Sequence, residues 1–273
     1  MHTMKSPSSR YCIILVMLVS MLSPSGIAQA QRTKSSLAAG SQRNAEKGLR
    51  DNRYFFYFIN TSITNLGTDD EKKSFKEAIQ RDIIAQNLYM KFLFTESFNE
   101  IRKAQEILID LYQKTLGRDI VMTKKLLNGF APAVIKKNDY LARHYLHLGY
   151  RDAEDARIDL MMADNFQERL YSMRLYRYLK AIKKVKHGKR YALFSLLETK
   201  FAREKKKDFG RRNYEELRKL ISDASSDDQR EYLLLVHTDN YYKSKDELSF
   251  YDRTWDKPDL YEIKEYEEYL QMK

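Results

Sequence analysis

Nine glycines and four prolines have to serve 273 residues, and this scarcity constrains the fold more than any motif does. An all-β sandwich needs a turn about every 8–12 residues, and the residues that make such turns are missing. Long helices with few connections are the expected architecture. Hydrophobic residues make up 43% of the chain and aromatics 12%, enough to close a core rather than leave the chain disordered. The expected fold is all-α, an elongated array of long helices and helical hairpins.

The first residues bear on the compartment. Lys5 and Arg10 precede a twelve-residue apolar run, 11–22, which Ser23, Pro24 and Gly26 interrupt. A membrane-spanning helix needs about 20 apolar residues. Ala28-Gln29-Ala30 supplies a small-x-small cleavage pattern, so residues 1–30 read as a secretory signal and the mature chain as starting at Gln31. An uncleaved anchor helix is the alternative. The single cysteine, Cys12, lies inside the signal, so the expected product is a periplasmic or exported protein with neither a lipidated cysteine nor disulfides.

Along the mature chain, residues 31–41 are small and polar and read as a mobile leader. The helical domain is expected over 42–221. Ala45, Leu49, Phe56, Ile59 and Ile63 mark a first helix ending at Gly67, and Thr68 with Glu71 makes a capping box for the next. The apolar face from Phe75 to Tyr112 predicts two helices parted near Thr95, or one bent rod, stopping at Gly117. A short helix over 120–127 is bounded by Gly129, and Pro132 suits the first turn of another. Residues 138–164 read as one degenerate tetratricopeptide-like hairpin turning at Leu148-Gly149, where Ala156 and Ala163 let helices approach. Helices follow over 166–186, closed by His187-Gly188, then from Leu193 toward Gly210, then from Tyr214 to Ile221. Ser225 with Asp228 caps one more, around Tyr232 to Val236. The tail, 222–273, is expected to pack on or next to this domain, with a loop over 243–257 and a terminal helix opened by Pro258.

The formal charge of +11 is unevenly spread. Lys and Arg exceed Asp and Glu by 4 over 31–165 and by 12 over 166–221, whereas acids exceed bases by 7 over 222–273. A candidate basic patch comprises Arg174, Arg177, Lys183, Lys184, Lys186, Lys189 and Arg190, continuing through Arg203, Lys205, Lys206, Lys207, Arg211 and Arg212. The acidic tail is rich in tyrosine, and Trp255, Tyr261, Tyr266 and Tyr269 are its candidate contacts, since such side chains favour interfaces. Two arrangements are open. The tail folds back over the basic helices of its own molecule, or both faces are solvated; alternatively, opposite patches pair between subunits or with another assembled protein. Nucleic acid is the usual partner of such a patch, but an export signal removes the chain from it. The basic helices lack an uninterrupted apolar face for membrane insertion.

Catalytic motifs are missing. His144 and His147 stand three apart on one helix face, but no Glu completes a zinc pattern, so both read as structural or surface residues. Neither a G-x-S-x-G elbow nor a phosphate-cradling glycine loop occurs. Asp227-Asp228 and Glu267-Glu268 read as capping or solvated charges. No enzyme activity, cofactor, metal or small-molecule substrate is expected.

Residues 140–150, the run Arg174-Leu175-Tyr176-Arg177-Tyr178-Leu179 and the Lys186-His187-Gly188-Lys189 break together resemble the spirochaete flagellar-coiling proteins, whose size and export signal fit the B-type members better than the A-type. The resemblance implies a helical subunit of the periplasmic flagellar sheath. Its partners would be the core filament and other sheath proteins, flagellar-coiling protein A among them, and its role would be filament coiling and motility. A periplasmic tetratricopeptide-like adaptor is the alternative function.

Overall fold

The structure is a computed structural model that describes residues 25–201 and 209–272, with side-chain environments from residue 40 onward. The apolar run and most of the signal sequence lie outside the described residues, as do Arg203, Lys205, Lys206 and Lys207. Among the described residues the fold is all-α, with no strand. Residues 45–273 form one compact unit; the preceding unit, ending at Asn44, is described only by the opening turns of the first helix.

The helices are α1 (Ser25–Leu66), α2 (Asp69–Met90), α3 (Phe94–Lys137), α4 (Tyr140–Asp164), α5 (Tyr171–Lys200), α6 (Tyr214–Ala224), α7 (Asp227–Asn240), α8 (Phe250–Asp256) and α9 (Tyr266–Gln271). Residues 31–41, expected as a leader, are helical in α1. Of the expected start signals, Thr68 and Glu71 close a capping box on α2, but Ser225 and Asp228 do not cap α7: that helix follows Ser226, whose side chain makes no cap hydrogen bond, and the Ser225 hydroxyl donates instead to the Ile221 carbonyl. Asn213 caps α6, and Asp139 accepts from the amides of Leu141 and Ala142 at α4. Ser249 and Asp252 form a second capping box, so residues 250–256, expected as part of a loop, form α8. The terminal helix begins at Tyr266 rather than at Pro258.

Stop signals were the weaker guide, and three expectations are corrected. Helix α3 runs for 44 residues through Gly117, Gly129 and Pro132. Interior proline costs about 3 kcal/mol and glycine up to about 1, but Leu116, Ile120, Leu127, Phe130 and Val134 are buried on either side of these residues and hold the helix together. Residues 138–164 are not a hairpin but one helix, α4, and the Leu148-Gly149 turn is absent. Likewise His187-Gly188 does not close α5, which continues to Lys200. The real hairpin is α4 against α5. Asp164 accepts from the Tyr178 hydroxyl near its turn and Asp155 pairs with Lys184 farther on, an antiparallel order.

Two apolar cores result. The first joins α1, α2, the N-terminal part of α3 and facing stretches of α4 and α5, around Phe55, Phe56, Phe75, Tyr112 and Tyr178. The second joins the C-terminal part of α3, the start of α4 and the end of α5 to α6 and α7, around Leu127, Leu193, Leu197, Ile221 and Val236. Between them lie buried Asp119, Lys186 and Lys189. Helices α1 and α5 run parallel in constant register: Asp51 meets Tyr176, Phe58 meets Lys183 and Thr61 meets Lys186.

Candidate functional site

The expected basic patch does not form one surface. Lys186 and Lys189 are interior, 2% and 1% exposed, because they follow Ile182 and Val185 and precede Ala192 and Leu193 on the apolar side of α5. The Lys186 ammonium donates to the Asp239 carboxylate, to the Asp239 carbonyl at 2.9 Å and to Thr61 Oγ1 at 3.0 Å. Lys189 donates to Asp119 at 2.6 Å and lies 3.6 Å from Asp239. Thr61 and Ser62 also donate to Asp239, at 2.9 and 3.1 Å. Burial alone would raise the Asp239 pKa, but Lys186 and Lys189 overcome it and hold the carboxyl at about 2. Two buried ammonium groups thus face two buried carboxylates, each hydrogen-bonded, which is the condition for tolerating such charges in a core.

Arg174, Arg177, Lys183, Lys184 and Arg190 are also engaged within the chain. Arg177 and Lys184 each reach Asp159 at 2.9 Å. Arg174 reaches the Tyr178 hydroxyl at 3.4 Å. Arg190 donates to the Tyr241 hydroxyl at 3.1 Å and stacks on its ring. Lys183 is exposed, with its ammonium 4.3 Å above the Phe58 ring. Asp239 and Tyr241 belong to the tail, so of the two open arrangements this structure has the tail folded back on its own molecule. His237, 2% exposed, stacks on Tyr214 and bonds its carbonyl at 3.0 Å; burial lowers its pKa.

The tail aromatics divide. Trp255 stacks on Tyr251 and packs against the first core. Tyr261 stands 70% exposed, edge-on to Tyr266. Tyr266 and Tyr269 line a cleft of about 290 Å³ with Ile84, Leu88, Met90 and Leu270. Buried Ile263 anchors this segment against Ile84 and Leu88, and polar ties strap it down. Lys76 pairs with Glu262 at 2.7 Å, Lys103 with Glu265 at 2.8 Å, and the Tyr269 hydroxyl donates to Glu100 at 2.7 Å.

Beside this cleft is a feature absent from the sequence reading. The α2–α3 turn, Lys91 to Leu93, presents Met90 at 75% exposure and Phe92 at 78%. Phe92 has φ 64°, a left-handed conformation that costs a bulky residue of order 1–3 kcal/mol. Lys91 ties the turn to the tail by donating to the Tyr269 carbonyl at 3.3 Å. Exposed Leu270, which lines the cleft beside Met90, completes an apolar tip. The sequence signal was available: Lys91-Phe92-Leu93-Phe94 places two aromatics at the only interruption between two long helices.

No helix among the described residues is long and apolar enough to cross a membrane, and none of their His, Asp and Glu side chains cluster as a metal site would require. Residues 39–269 match the sequence model of a family described as surface protein adhesin OmpL37. The chain belongs to the OmpL37 family. That is a spirochaete-type surface-protein family, and the match does not extend to the flagellar-coiling proteins. No curated protein and no solved structure matches the chain. The matched span includes the buried ion cluster, the α2–α3 turn with Met90 and Phe92, and the tail cleft up to Tyr269, and it stops short of Leu270. The family is described as one of surface adhesins, which suggests a surface, protein-binding role.

Proposed function

We propose that this OmpL37-family chain is an exported, non-enzymatic protein that adheres to protein partners at the cell surface through the apolar tip formed by the α2–α3 turn and the tail. The observation that carries this reading is Phe92: an aromatic side chain held in a strained backbone conformation and pointed at solvent, next to Met90, Leu270 and the tyrosine-lined cleft. Exposed apolar groups rimmed by charge mark interaction sites, and aromatic anchors dominate their energy. Non-enzymatic action is supported by the closure of the ion cluster. Lys186, Lys189, Asp119 and Asp239 are each at most 2% exposed, so their charges serve packing and cannot meet a substrate.

The test is adhesion of the purified protein to matrix laid down by cultured cells, intact or stripped with trypsin. The wild type binds intact matrix only, and a Met90→Ser, Phe92→Ser, Leu270→Ser variant binds about tenfold more weakly. Equal binding by the variant rejects the tip as the contact.

The flagellar-sheath reading is the second, supported by the resemblance over residues 174–179. It requires recovery with purified periplasmic flagella and protection from protease in intact cells, whereas the surface reading requires cleavage in intact cells.

A further inference from the structure

Two exposed stripes flank the groove between the parallel helices α1 and α5. On α1, Lys47, Arg50, Tyr54 and Tyr57 follow steps of three and four; on α5, Tyr176, Lys180 and Lys183 do the same. Each set therefore lies along one side of its helix, and at 1.5 Å per residue each extends over about 10–15 Å. Tyr54 and Tyr57 are each 57% exposed and Tyr176 is 45% exposed. The stripes are adjacent: Tyr176 donates to Asp51 of α1 at 2.8 Å and its phenol senses Arg50 and Tyr54, while Lys183 lies over Phe58.

Few carboxylates neutralise the cations of these stripes. Lys47 and Arg50 make no salt bridge among the described residues. The nearest carboxylate to Lys180 is Asp159 at 3.9 Å, which already serves Arg177 and Lys184. Asp51 is buried beneath the surface, and exposed Glu46, four residues before Arg50, brings a single acid to the α1 stripe. The face is therefore a cationic strip studded with tyrosine rings.

We propose that this face binds a linear sulfated polysaccharide, with Lys47, Arg50, Lys180 and Lys183 on its sulfates and the tyrosine rings against the C–H faces of its sugars. Spaced cations along two parallel rods match a regularly charged chain better than a folded acidic partner, which would need apolar pockets for its anchors. The nearest cleft, lined by Arg53, Tyr57 and Tyr242, carries Glu247 and Asp252 and ends the strip on that side. This site is separate from the apolar tip.

The experiment measures binding of the whole protein to immobilised heparin, to chemically desulfated heparin and to polyglutamate over a series of salt concentrations. Heparin binds, weakening steeply with salt as counterions are released, and the other two bind at least about tenfold more weakly. The K47Q/R50Q/K180Q/K183Q variant loses about tenfold or more of its heparin affinity and has a shallower salt dependence; R50Q/K180Q shows half the effect on a logarithmic scale and serves where the fourfold variant loses helicity. Y54A weakens binding several-fold without changing the salt slope. Equal affinity for desulfated heparin, polyglutamate binding as tight as heparin, or unaltered binding by the cation variants overturns the proposal. The tip variant retains heparin binding, and the strip variants retain trypsin-sensitive adhesion, so the two sites fail separately.

Discussion

Gly149 and Gly188 meet backbone to backbone where α4 crosses α5. A Cβ on Gly149 would stand 3.4 Å from the Gly188 carbonyl oxygen, and one on Gly188 would stand 3.3 Å from that of Gly149. Both glycines looked like helix terminators, yet both lie within helices and neither has positive φ.

Glycine substitutions therefore divide by location. Gly149→Ala brings its methyl to 2.5 Å from Cδ2 of fully buried Leu127, and Gly188→Ala meets Thr123 at 3.1 Å. Overpacking of about 1–3 kcal/mol exceeds the helix-propensity gain of about 1 kcal/mol, so Gly149→Ala lowers stability by about 1 kcal/mol and Gly188→Ala by less. Gly117 and Gly129 of α3 have nothing within 4 Å of a built Cβ, and their alanine variants gain about 0.5–1 kcal/mol each. Urea midpoints for the four variants check both signs.

Removing the counter-ion of a buried lysine is far more costly. Asp239→Asn leaves Lys186 in the core without its closest anion, a loss of about 3–5 kcal/mol, and Lys186→Glu places two carboxylates together and prevents folding. Lys183→Glu changes a solvated residue and leaves the melting temperature within about 2 °C of the wild type. Because the Asp239 pKa is about 2 when folded, below its ordinary 3.8, its contribution is complete above pH 4. It disappears as acid takes the solution from pH 4 toward pH 2. Urea titrations across that range should lose this slope in the Asn variant.

Asp82 behaves in the opposite sense. It is 1% exposed, accepts from Asn52 at 2.7 Å and Gln86 at 3.0 Å, and has no salt-bridge partner among the described residues. Burial pushes its pKa up to about 6 from 3.8. The neutral form is the one the fold prefers, so its contribution is present below pH 4 and lost as pH rises through 6, about 3 kcal/mol in all. Asp82→Asn, with the Gln86 amide turned to offer its oxygen, removes that loss and is more stable than the wild type at pH 7 but not at pH 4.

Phe92 carries strain for an exposed ring. Phe92→Asn suits the left-handed conformation without adding the unfolded-state freedom of glycine. The variant is as stable as the wild type or up to about 1 kcal/mol more so, yet loses adhesion to protein matrix. A melting curve beside the adhesion assay tests both halves, and reduced stability would show that the ring is a packing element.

Signals confined to a few neighbouring residues were legible in the chain: the Thr68–Glu71 box, the Gly67 end and the overall helical bias. What was illegible depended on a second helix. Gly149 reads as a turn unless Gly188 is known to lie opposite. Lys186 and Lys189 read as surface charge unless Asp239, about fifty residues later, is known to enter the core, although their three- and four-residue spacing with Ile182, Val185 and Leu193 placed them on an apolar side. The apolar tip was signalled by the aromatics of Lys91-Phe92-Leu93-Phe94, but the left-handed φ at Phe92 that turns the ring to solvent was not.

The Lys186–Asp239 contact also sets an order of events during synthesis. A chain delivered N-terminus first, from a ribosome or an export pore, presents both core lysines while only Asp119 is available to meet them. Residue 239 must emerge before the second charge can be sheltered, so closure of the helical body waits until most of the chain has been released, which keeps the nascent protein threadable.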